Sequence, residues 1–322
     1  MTFDLSNFKK KLLIVCGPTA SGKTDFFENL CRRFPQTFEC INADTGQMYQ
    51  ELSIGTAKPD LGSLSNPEEY HLFNILNLGE LCSAGQFRVK VEELAKKIWA
   101  KHKTPVVVGG SMFYVQSLFF PPKDPVLPNF LSVQAIKSLE NLANTNVPTK
   151  ILYDQLLAID PARAAAIMPN DKFRILRALE IWFKSGVKPS ALEPQFEPIA
   201  ETEILFVSQL REILDDRIGL RLKIMLSGES CGGWLEEARK IYARPKIRKF
   251  IMSSRLIGYK EIFEWLDAGG QASQLPTLEE RLYFATRNYS KKQIKFWNAL
   301  ERKILAKDSA GLVKIIKANG VF

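Results

Sequence analysis

Histidine is nearly missing from this chain, and cysteine is sparse and unpatterned. Among 322 residues there are two histidines, His71 and His102, and five cysteines, Cys16, Cys31, Cys40, Cys82 and Cys231, with no C-x-x-C spacing. Zinc sites are built from those residue types at short, regular intervals, so no zinc centre is expected. An odd set of scattered cysteines makes no disulfide framework either, and reduced thiols in a cytoplasmic protein are the expectation. No stretch comes near the roughly 18 uncharged apolar residues that a membrane helix requires, so no membrane span is expected. The opening MTFDLSNFKKK has no apolar run ahead of a cleavage site, which argues against a secretory signal. Internal repeats and low-complexity tracts are lacking as well, and with them the repeat architectures.

What remains has the balance of a globular protein, with 46% hydrophobic and 25% charged residues. The net charge of +9 and a pI near 9.2 point toward a polyanionic partner. The sharpest local signal is KLLIVCGPTASGKT at 11–24. Lys11 to Cys16 reads as a short buried strand, and Gly17 to Thr24 fits the G-x-x-x-x-G-K-[ST] phosphate-binding loop without a mismatch. Glycines let backbone N–H groups turn around an anion, Lys23 supplies a point charge, and the Thr24 hydroxyl can ligate Mg²⁺. Asp25 to Arg32 continues as a helix whose positive end faces the same anion.

The first 120 residues alternate strand and helix signals, the pattern of a parallel sheet with crossover helices. Phe38 to Ala43 reads as a strand ending at Asp44, and His71 to Leu76 as another. Ala84 to His102 has helical spacing, with Phe87, Val91, Leu94 and Ile98 at three- and four-residue steps. Pro105 to Gly110 is a buried strand and glycine turn, followed by a short helix over Met112 to Phe119. Ligands of such sheets sit at the carboxyl ends of the strands, which puts the phosphate loop, Asp44 and Gly109-Gly110-Ser111 on one edge. Composition shifts at Pro121-Pro122-Lys-Asp-Pro125, and the signals stay helical to about Leu192. Ile204 to Leu210 is again a core strand, and from Arg211 the chain reads as helical to its end. The expected fold is therefore an α/β phosphate-loop core over 1–120 and 200–322, with a helical domain inserted at 121–199 and a helical C-terminal region.

Several constellations carry chemistry. Asp44, ending a strand beside the loop, reads equally well as a helix cap, a partner of Mg²⁺ or a general base. An apolar strand ending in Asp, the second acidic motif of nucleotide hydrolases, is missing, because Val106 to Val108 runs into Gly109-Gly110. Arg174 and Arg177 share a helical face, read alone as a solvated one. Arg217 and Arg221 also share a face and can grip phosphates bidentately, or pair with Asp215 or Asp216. Arg239 to Lys260 carries eight lysines and arginines, and Arg287, Lys291 and Lys295 form an i, i+4 row with Tyr289, Phe296 and Trp297 interleaved. These basic runs favour a nucleic-acid backbone as partner.

Taken together, the chain resembles the tRNA dimethylallyltransferases of bacterial type. The likeness rests on GPTASGKT at 17–24, DTGQMY at 44–49, IGTAKP at 54–59, Phe87-Arg88, GGSMFY at 109–114 and Asp160-Pro161. NDKFRILRALE at 170–180, RIGLR at 217–221, IGYKE at 257–261 and TRNYSKKQIKFW at 286–297 complete it. The resemblance implies a phosphate-loop fold of the nucleoside triphosphate hydrolase type. It also implies transfer of a dimethylallyl group from dimethylallyl diphosphate to N6 of the adenosine beside the 3′ end of the tRNA anticodon, with Mg²⁺.

By the same resemblance Gly17, Pro18, Thr19, Ala20, Ser21, Gly22, Lys23 and Thr24 hold the diphosphate with Arg217 and Arg221, and Thr24 meets the metal. Asp44 takes or orients the N6 proton, with Lys23, Ser111 and Arg217 completing the catalytic set. The tRNA anticodon stem-loop is expected on Asp44, Thr45, Gly46, Gln47 and Ser111, on Phe173, Arg174, Ile175, Leu176 and Arg177, and on Arg287, Lys291, Lys292 and Gln293. A cytoplasmic monomer with no membrane partner is expected. The chain departs from the family pattern at Thr45, where Ser is usual, and at Ser111-Met112-Phe113, where Thr-Gly-Leu is usual. NILNLG at 74–79 lacks the family's Asp-Pro, and the zinc finger of eukaryotic members is absent. The hydroxyls at 45 and 111 survive, while Met112 and Phe113 add bulk. The competing readings are a phosphate-loop kinase, an adenylate isopentenyltransferase acting on a free nucleotide, and a non-enzymatic RNA-binding module.

Overall fold

The computed structural model describes residues 10–64, 66–122, 147–228, 233–254 and 256–319. Six strands form one sheet: β1 (Leu12–Cys16), β2 (Phe38–Asn42), β3 (Tyr70–His71), β4 (Thr104–Gly109), β5 (Thr202–Ser208) and β6 (Val313–Asn319). Their order is β3-β2-β4-β1-β5-β6, and every pairing is parallel. Strands β1 and β4 are buried along their whole length, as a parallel sheet covered on both faces demands. The helices are α1 (Lys23–Arg33), α2 (Ala84–Ala100), α3 (Met112–Ser117), α4 (Thr149–Ile159), α5 (Pro161–Ala165) and α6 (Lys172–Ser185). They continue as α7 (Arg211–Ser227), α8 (Gly233–Tyr242), α9 (Pro245–Ser253), α10 (Tyr259–Asp267) and α11 (Leu275–Lys307).

The alternation of side chains along the strands decides what covers each face. Leu13, Val15, Val106, Val108, Leu205 and Val207 pack with Phe26, Phe27 and Leu30 of α1. Phe206, pointing the other way, stacks on Trp297 of α11 with ring centroids 4.7 Å apart. Helix α2 starts at a capping box in which Ser83 and Gln86 satisfy each other's backbone N–H groups. On that helix Arg88 is buried and donates to the carbonyls of Ser117, Leu118 and Glu197. This ties together the two points at which the chain leaves and re-enters the sheet unit.

The residues up to Phe119 and from Phe196 onward form one compact unit, and Phe120–Gln195 a second. Within the second, Leu152, Leu156, Ala164, Ile167, Ile175, Ala178 and Leu179 build a separate apolar core. Buried Asp160 accepts from the N–H groups of Arg163 and Ser190, which starts α5 and anchors the segment after α6. The proline-rich expectation at 121–128 lies for the most part outside the described residues.

Two expectations need correction. The chain does not stay helical to its end, because Val313–Asn319 (VKIIKAN) pairs with β5 from Thr202↔Val313 to Ser208↔Asn319. Asp308 stops the preceding helix by accepting from the N–H groups of Leu312 and Val313, and the lysines of this strand are the usual protection of a sheet edge. The strand expected at His71 to Leu76 is only two residues long. Leu72 and Asn74 have φ of 63° and 54°, which breaks the extended backbone, and only a bridge from Leu76 to Tyr49 follows. At the opposite end of β2 from Asp44, Glu39 is wholly buried. His71 Nε2 lies 2.8 Å from its carboxylate, and Lys101 and Lys103 lie 3.0 and 3.5 Å away. Among the described residues no helix is long and apolar enough to cross a membrane.

Candidate active site

Tight packing of glycines assembles the carboxyl edge of the sheet. A Cβ on Gly17 would lie 2.1 Å from the Val207 carbonyl oxygen, and one on Gly109 would lie 2.2 Å from that of Ala43. Any larger residue would push β1 from β5, or β4 from β2, where their loops begin. Gly22, at φ +94°, takes the left-handed turn that starts α1 at Lys23, two residues earlier than the sequence suggests. Lys23 Nζ donates to the Pro18 carbonyl across the loop at 2.6 Å. Burial lowers the Lys23 pKa to about 8, against the pull of Asp44 and with a further push from Arg221. The Thr24 hydroxyl belongs to an exposed residue in the first turn of α1.

Helix α7 brings Arg217 and Arg221 to the loop. The Arg217 guanidinium is 3.2 Å from where a Gly22 Cβ would be and 3.6 Å from the Asp25 carboxylate. Arg217 therefore pairs with Asp25 of the loop helix. Arg221 is open to water by surface area, yet the protein around it lowers its pKa, with Asp25 and Asp44 raising it and Arg217 lowering it.

Asp44 is held from both sides. Asn42 accepts its N–H at 2.9 Å and donates to its carbonyl at 3.0 Å, while one carboxylate oxygen accepts from Gly46 N–H at 3.0 Å. Burial raises the Asp44 pKa, and Lys23, the amides of Gly46 and Gln47, and Arg221 draw it partly back. The carboxylate thus accepts backbone N–H groups of the turn that follows it, and the general-base reading stays open beside that structural role. Next to it, the Ser111 hydroxyl accepts from Thr45 N–H at 3.1 Å and lies 3.1 Å from the Thr45 hydroxyl. Ser111 N–H donates to the Ala43 carbonyl, which locks the two strand ends together.

Gln47 donates to the carbonyls of Thr56 and Ala57, joining two of the sequence motifs. The second motif is fixed by a residue that sequence reading missed. Glu237 on α8 accepts from the N–H groups of Ser53, Ile54 and Gly55 at 2.7, 2.8 and 3.0 Å, and from the Tyr259 hydroxyl. A Cβ on Gly55 or Gly258 would lie 2.0 Å from the Trp234 indole, so both glycines make room for that ring. Nothing in the local sequence LEEARK distinguishes Glu237 from its neighbour Glu236.

Three expectations about RNA contacts change. Gln293 is buried, accepts from Thr19 N–H and donates to the Gly110 carbonyl, both at 2.8 Å, so its amide is engaged inside the protein. Arg287 donates from Nε to both Asp215 carboxylate oxygens, so it is tied to α7 instead of heading a free basic row. Lys291, Lys292 and Lys295 remain exposed on α11, with no ion pair to any acid among the described residues. The basic run from Arg239 is largely matched by acids from elsewhere. Lys240, Arg244, Arg248 and Lys260 pair with Glu236, Glu51, Asp267 and Glu264, and Arg239 lies over the Trp265 ring.

Within the inserted unit, Phe173 is 67% exposed, and Arg174 and Arg177 point outward while pairing with Asp171 and Glu180. Leu176 is half-buried and Ile175 wholly buried in that unit's core, so the Ile175 side chain cannot meet RNA. Tyr289, one of the aromatics interleaved in the basic row of α11, places its hydroxyl against Ser111 and Gln293, and its pKa is raised by burial and then by Asp44. The helical period of α11 put Tyr289 and Gln293 on one face, a signal that was available.

No group of three or more His, Cys, Asp or Glu side chains able to hold a metal occurs among the described residues.

The family model described as IPP transferase matches residues 47–300 of this chain. The tRNA dimethylallyltransferase 2 of Mycobacterium marinum is 35% identical over 290 residues, 87% of each chain. The tRNA dimethylallyltransferase of a Janthinobacterium species is 33% identical over 318 residues, 95% of this chain and 96% of its own. Among solved structures, a eukaryotic dimethylallyltransferase acting on tRNA aligns with a TM-score of 0.74 at 27% identity, over 96% of this chain and 74% of that one. The tRNA isopentenylpyrophosphate transferase of Bacillus halodurans aligns at 0.59 and 29%, over 98% and 92%.

Proposed function

This chain belongs to the IPP transferase family, and from that premise we propose that it transfers a dimethylallyl group from dimethylallyl diphosphate to N6 of the adenosine 3′ of the tRNA anticodon. The observation that carries this reading is the convergence, on one sheet edge, of a half-buried carboxylate with a raised pKa and a phosphate loop flanked by two arginines.

In the reaction, a bond forms between adenine N6 and C1 of the dimethylallyl group. The C1–O bond breaks, its electron pair leaves with diphosphate, and the N6 proton goes to the base. An exocyclic amine is a weak nucleophile because its lone pair is delocalised into the ring, so removal of that proton helps directly. The Asp44 carboxylate is the acceptor. The loop amides, Lys23, Arg217 and Arg221 surround the place where charge grows on the bridging oxygen. Thr45 and Ser111 supply hydroxyls beside the base.

The donor set fits Mg²⁺. The exposed Thr24 hydroxyl offers one oxygen, no cage of carboxylates competes for the ion among the described residues, and Mg²⁺ is commonly held by one or two protein groups plus phosphate oxygens. When bound, the ion supplies charge neutralisation on the departing diphosphate.

The acceptor base must leave its stack to reach a sheet edge, which is easiest in a single-stranded loop. Lys291 and Lys292 are exposed cations for its backbone. We propose that the protein acts as a monomer, in the cytoplasm where tRNA is found. The test is incubation with dimethylallyl diphosphate, Mg²⁺ and an anticodon stem-loop containing A-A-A, followed by mass analysis of the RNA. Prenylation of that adenosine is expected. Phosphoryl transfer from ATP without prenyl transfer would sink the reading in favour of a kinase, and prenylation of free nucleotide alone would assign the adenylate class.

A further inference from the structure

The geometry points to Gln293 as a positioning residue that sets the phosphate loop against the Ser111 turn, a role that rests on the reaction proposed above. Gln293 sits on α11, 4% exposed. Its Oε1 accepts from Thr19 N–H and its Nε2 donates to the Gly110 carbonyl, both at 2.8 Å, across sequence separations of 274 and 183 residues. One side chain therefore bridges the anion loop after β1 and the turn after β4. Gly110 has to be glycine for this bridge, since a Cβ there would lie 2.4 Å from Nε2 and 3.4 Å from the Gly17 carbonyl oxygen.

The consequence for chemistry follows from which groups are bridged. Thr19 lies inside the anion loop, so fixing the direction of its N–H fixes the peptide plane it shares with Pro18, whose carbonyl accepts from Lys23. Gly110 immediately precedes Ser111, whose hydroxyl meets Thr45 beside Asp44. The diphosphate-holding loop and the base-bearing edge belong to different strand ends, and a misplacement of about 1 Å between reacting groups can cost on the order of 10²-fold in rate. Tyr289, one turn earlier on the same face, sets its hydroxyl against both Ser111 and Gln293 and supports the bridge. Gln293 touches no reacting atom and acts through Thr19 and Gly110.

A glutamine that merely fills space would behave differently from one that bridges, and Gln293→Glu separates the two. The carboxylate keeps an acceptor for Thr19 N–H but sets an anion against the Gly110 carbonyl. The protonated acid restores a donor there. Tyr289 on the same helix, Asp44 beyond it and Lys23, which donates to the Pro18 carbonyl next to Thr19, are the titratable groups nearby, and all three are shared with the wild type, so the ratio of variant to wild type isolates position 293.

The probe is inorganic diphosphate with Mg²⁺, measured by calorimetry, beside kcat and KM for prenyl transfer. At pH 8 the Gln293→Glu variant should bind diphosphate about 10-fold or more weakly, with stem-loop affinity unchanged. Its deficit should shrink as pH falls toward the range where a buried glutamic acid is protonated. Gln293→Met, which keeps volume but removes both polar groups, should show the diphosphate deficit at every pH. Wild-type diphosphate affinity in both variants would overturn the proposal, as would weakened RNA binding with diphosphate binding intact. A wild type that binds diphosphate but transfers no prenyl group would refute the proposed reaction and leave the bridge to be judged by diphosphate binding alone.

Discussion

Replacing Asp44 with Asn leaves the architecture of the site in place and removes only its capacity to take a proton. The Asn side-chain oxygen can still accept from Gly46 N–H, and Asn42 still holds the backbone of residue 44 on both sides. Stability and RNA affinity should therefore stay near wild type. The loss is that of a general base, about 10²- to 10⁴-fold in kcat, or about 3 to 5 kcal/mol of barrier. The pH dependence makes the assignment specific. Burial raises the Asp44 pKa, so the acid limb of kcat/KM for the diphosphate substrate should lie above the ordinary aspartate range, with activity rising as the carboxylate ionises. Burial lowers the Lys23 pKa to about 8, so in the free enzyme the loop loses its ammonium above that pH and an alkaline limb should follow. Asp44→Asn should abolish the acid limb and Lys23→Met the alkaline one, read from initial rates between about pH 5 and 9 on a labelled stem-loop. An undiminished Asp44→Asn turnover, or a wild-type acid limb at the pKa of free aspartate, refutes the reasoning.

Lys292→Ala and Lys291→Ala should weaken stem-loop binding uniformly across sequences and flatten the slope of log K against log salt by about one for each phosphate that the missing ammonium had neutralised. The measurement is a salt titration by fluorescence anisotropy, and an unchanged slope in both would make this face of α11 a solvated one. Glu39→Gln should destabilise the protein by about 3 kcal/mol in chemical denaturation at pH 7, because it leaves Lys101, Lys103 and His71 around an uncharged buried group. Burial raises the Glu39 pKa, but hydrogen bonds and charge from His71 and Lys101 outweigh it and hold the folded value below that of the unfolded chain. Its contribution is thus full above the unfolded pKa and lost as pH falls through the folded one, so wild type and variant should converge in acid, below the folded pKa of Glu39. Equal stability at pH 7 would show that solvent already screens the cluster.

The phosphate loop, Asp44 and the Ser111 turn could be placed from sequence because each follows a short apolar strand. Parallel sheets put the ends of such strands on one edge. The final strand was missed because VKIIKAN is short and follows the 33-residue helix α11. Its two lysines, Lys314 and Lys317, suit an edge strand, and only its pairing with β5 identifies it. Charge was the least legible property. The run from Arg239 looks like a basic patch in one dimension, and acids at Glu51 and Asp267 answer two of its arginines in three. Glu237 failed for the opposite reason, since its hydrogen bonds to three amides of a loop more than 180 residues earlier leave no trace in the residues beside it.

The base and the anion loop behave as one electrostatic unit. Asp44 raises the Lys23 pKa and Lys23 lowers that of Asp44, so each favours the charged form of the other, against the burial that disfavours both. Proton transfer from N6 would neutralise Asp44 at the moment the bridging oxygen gains charge. The ammonium then loses one anionic neighbour while another grows beside it, and the net field at Lys23 changes little. That compensation needs the two strand ends to keep a fixed spacing, and the bare glycines at 17 and 109 allow their backbones to approach that closely. A larger residue at either position would alter stability, base strength and anion affinity together, because all three depend on the same backbone packing.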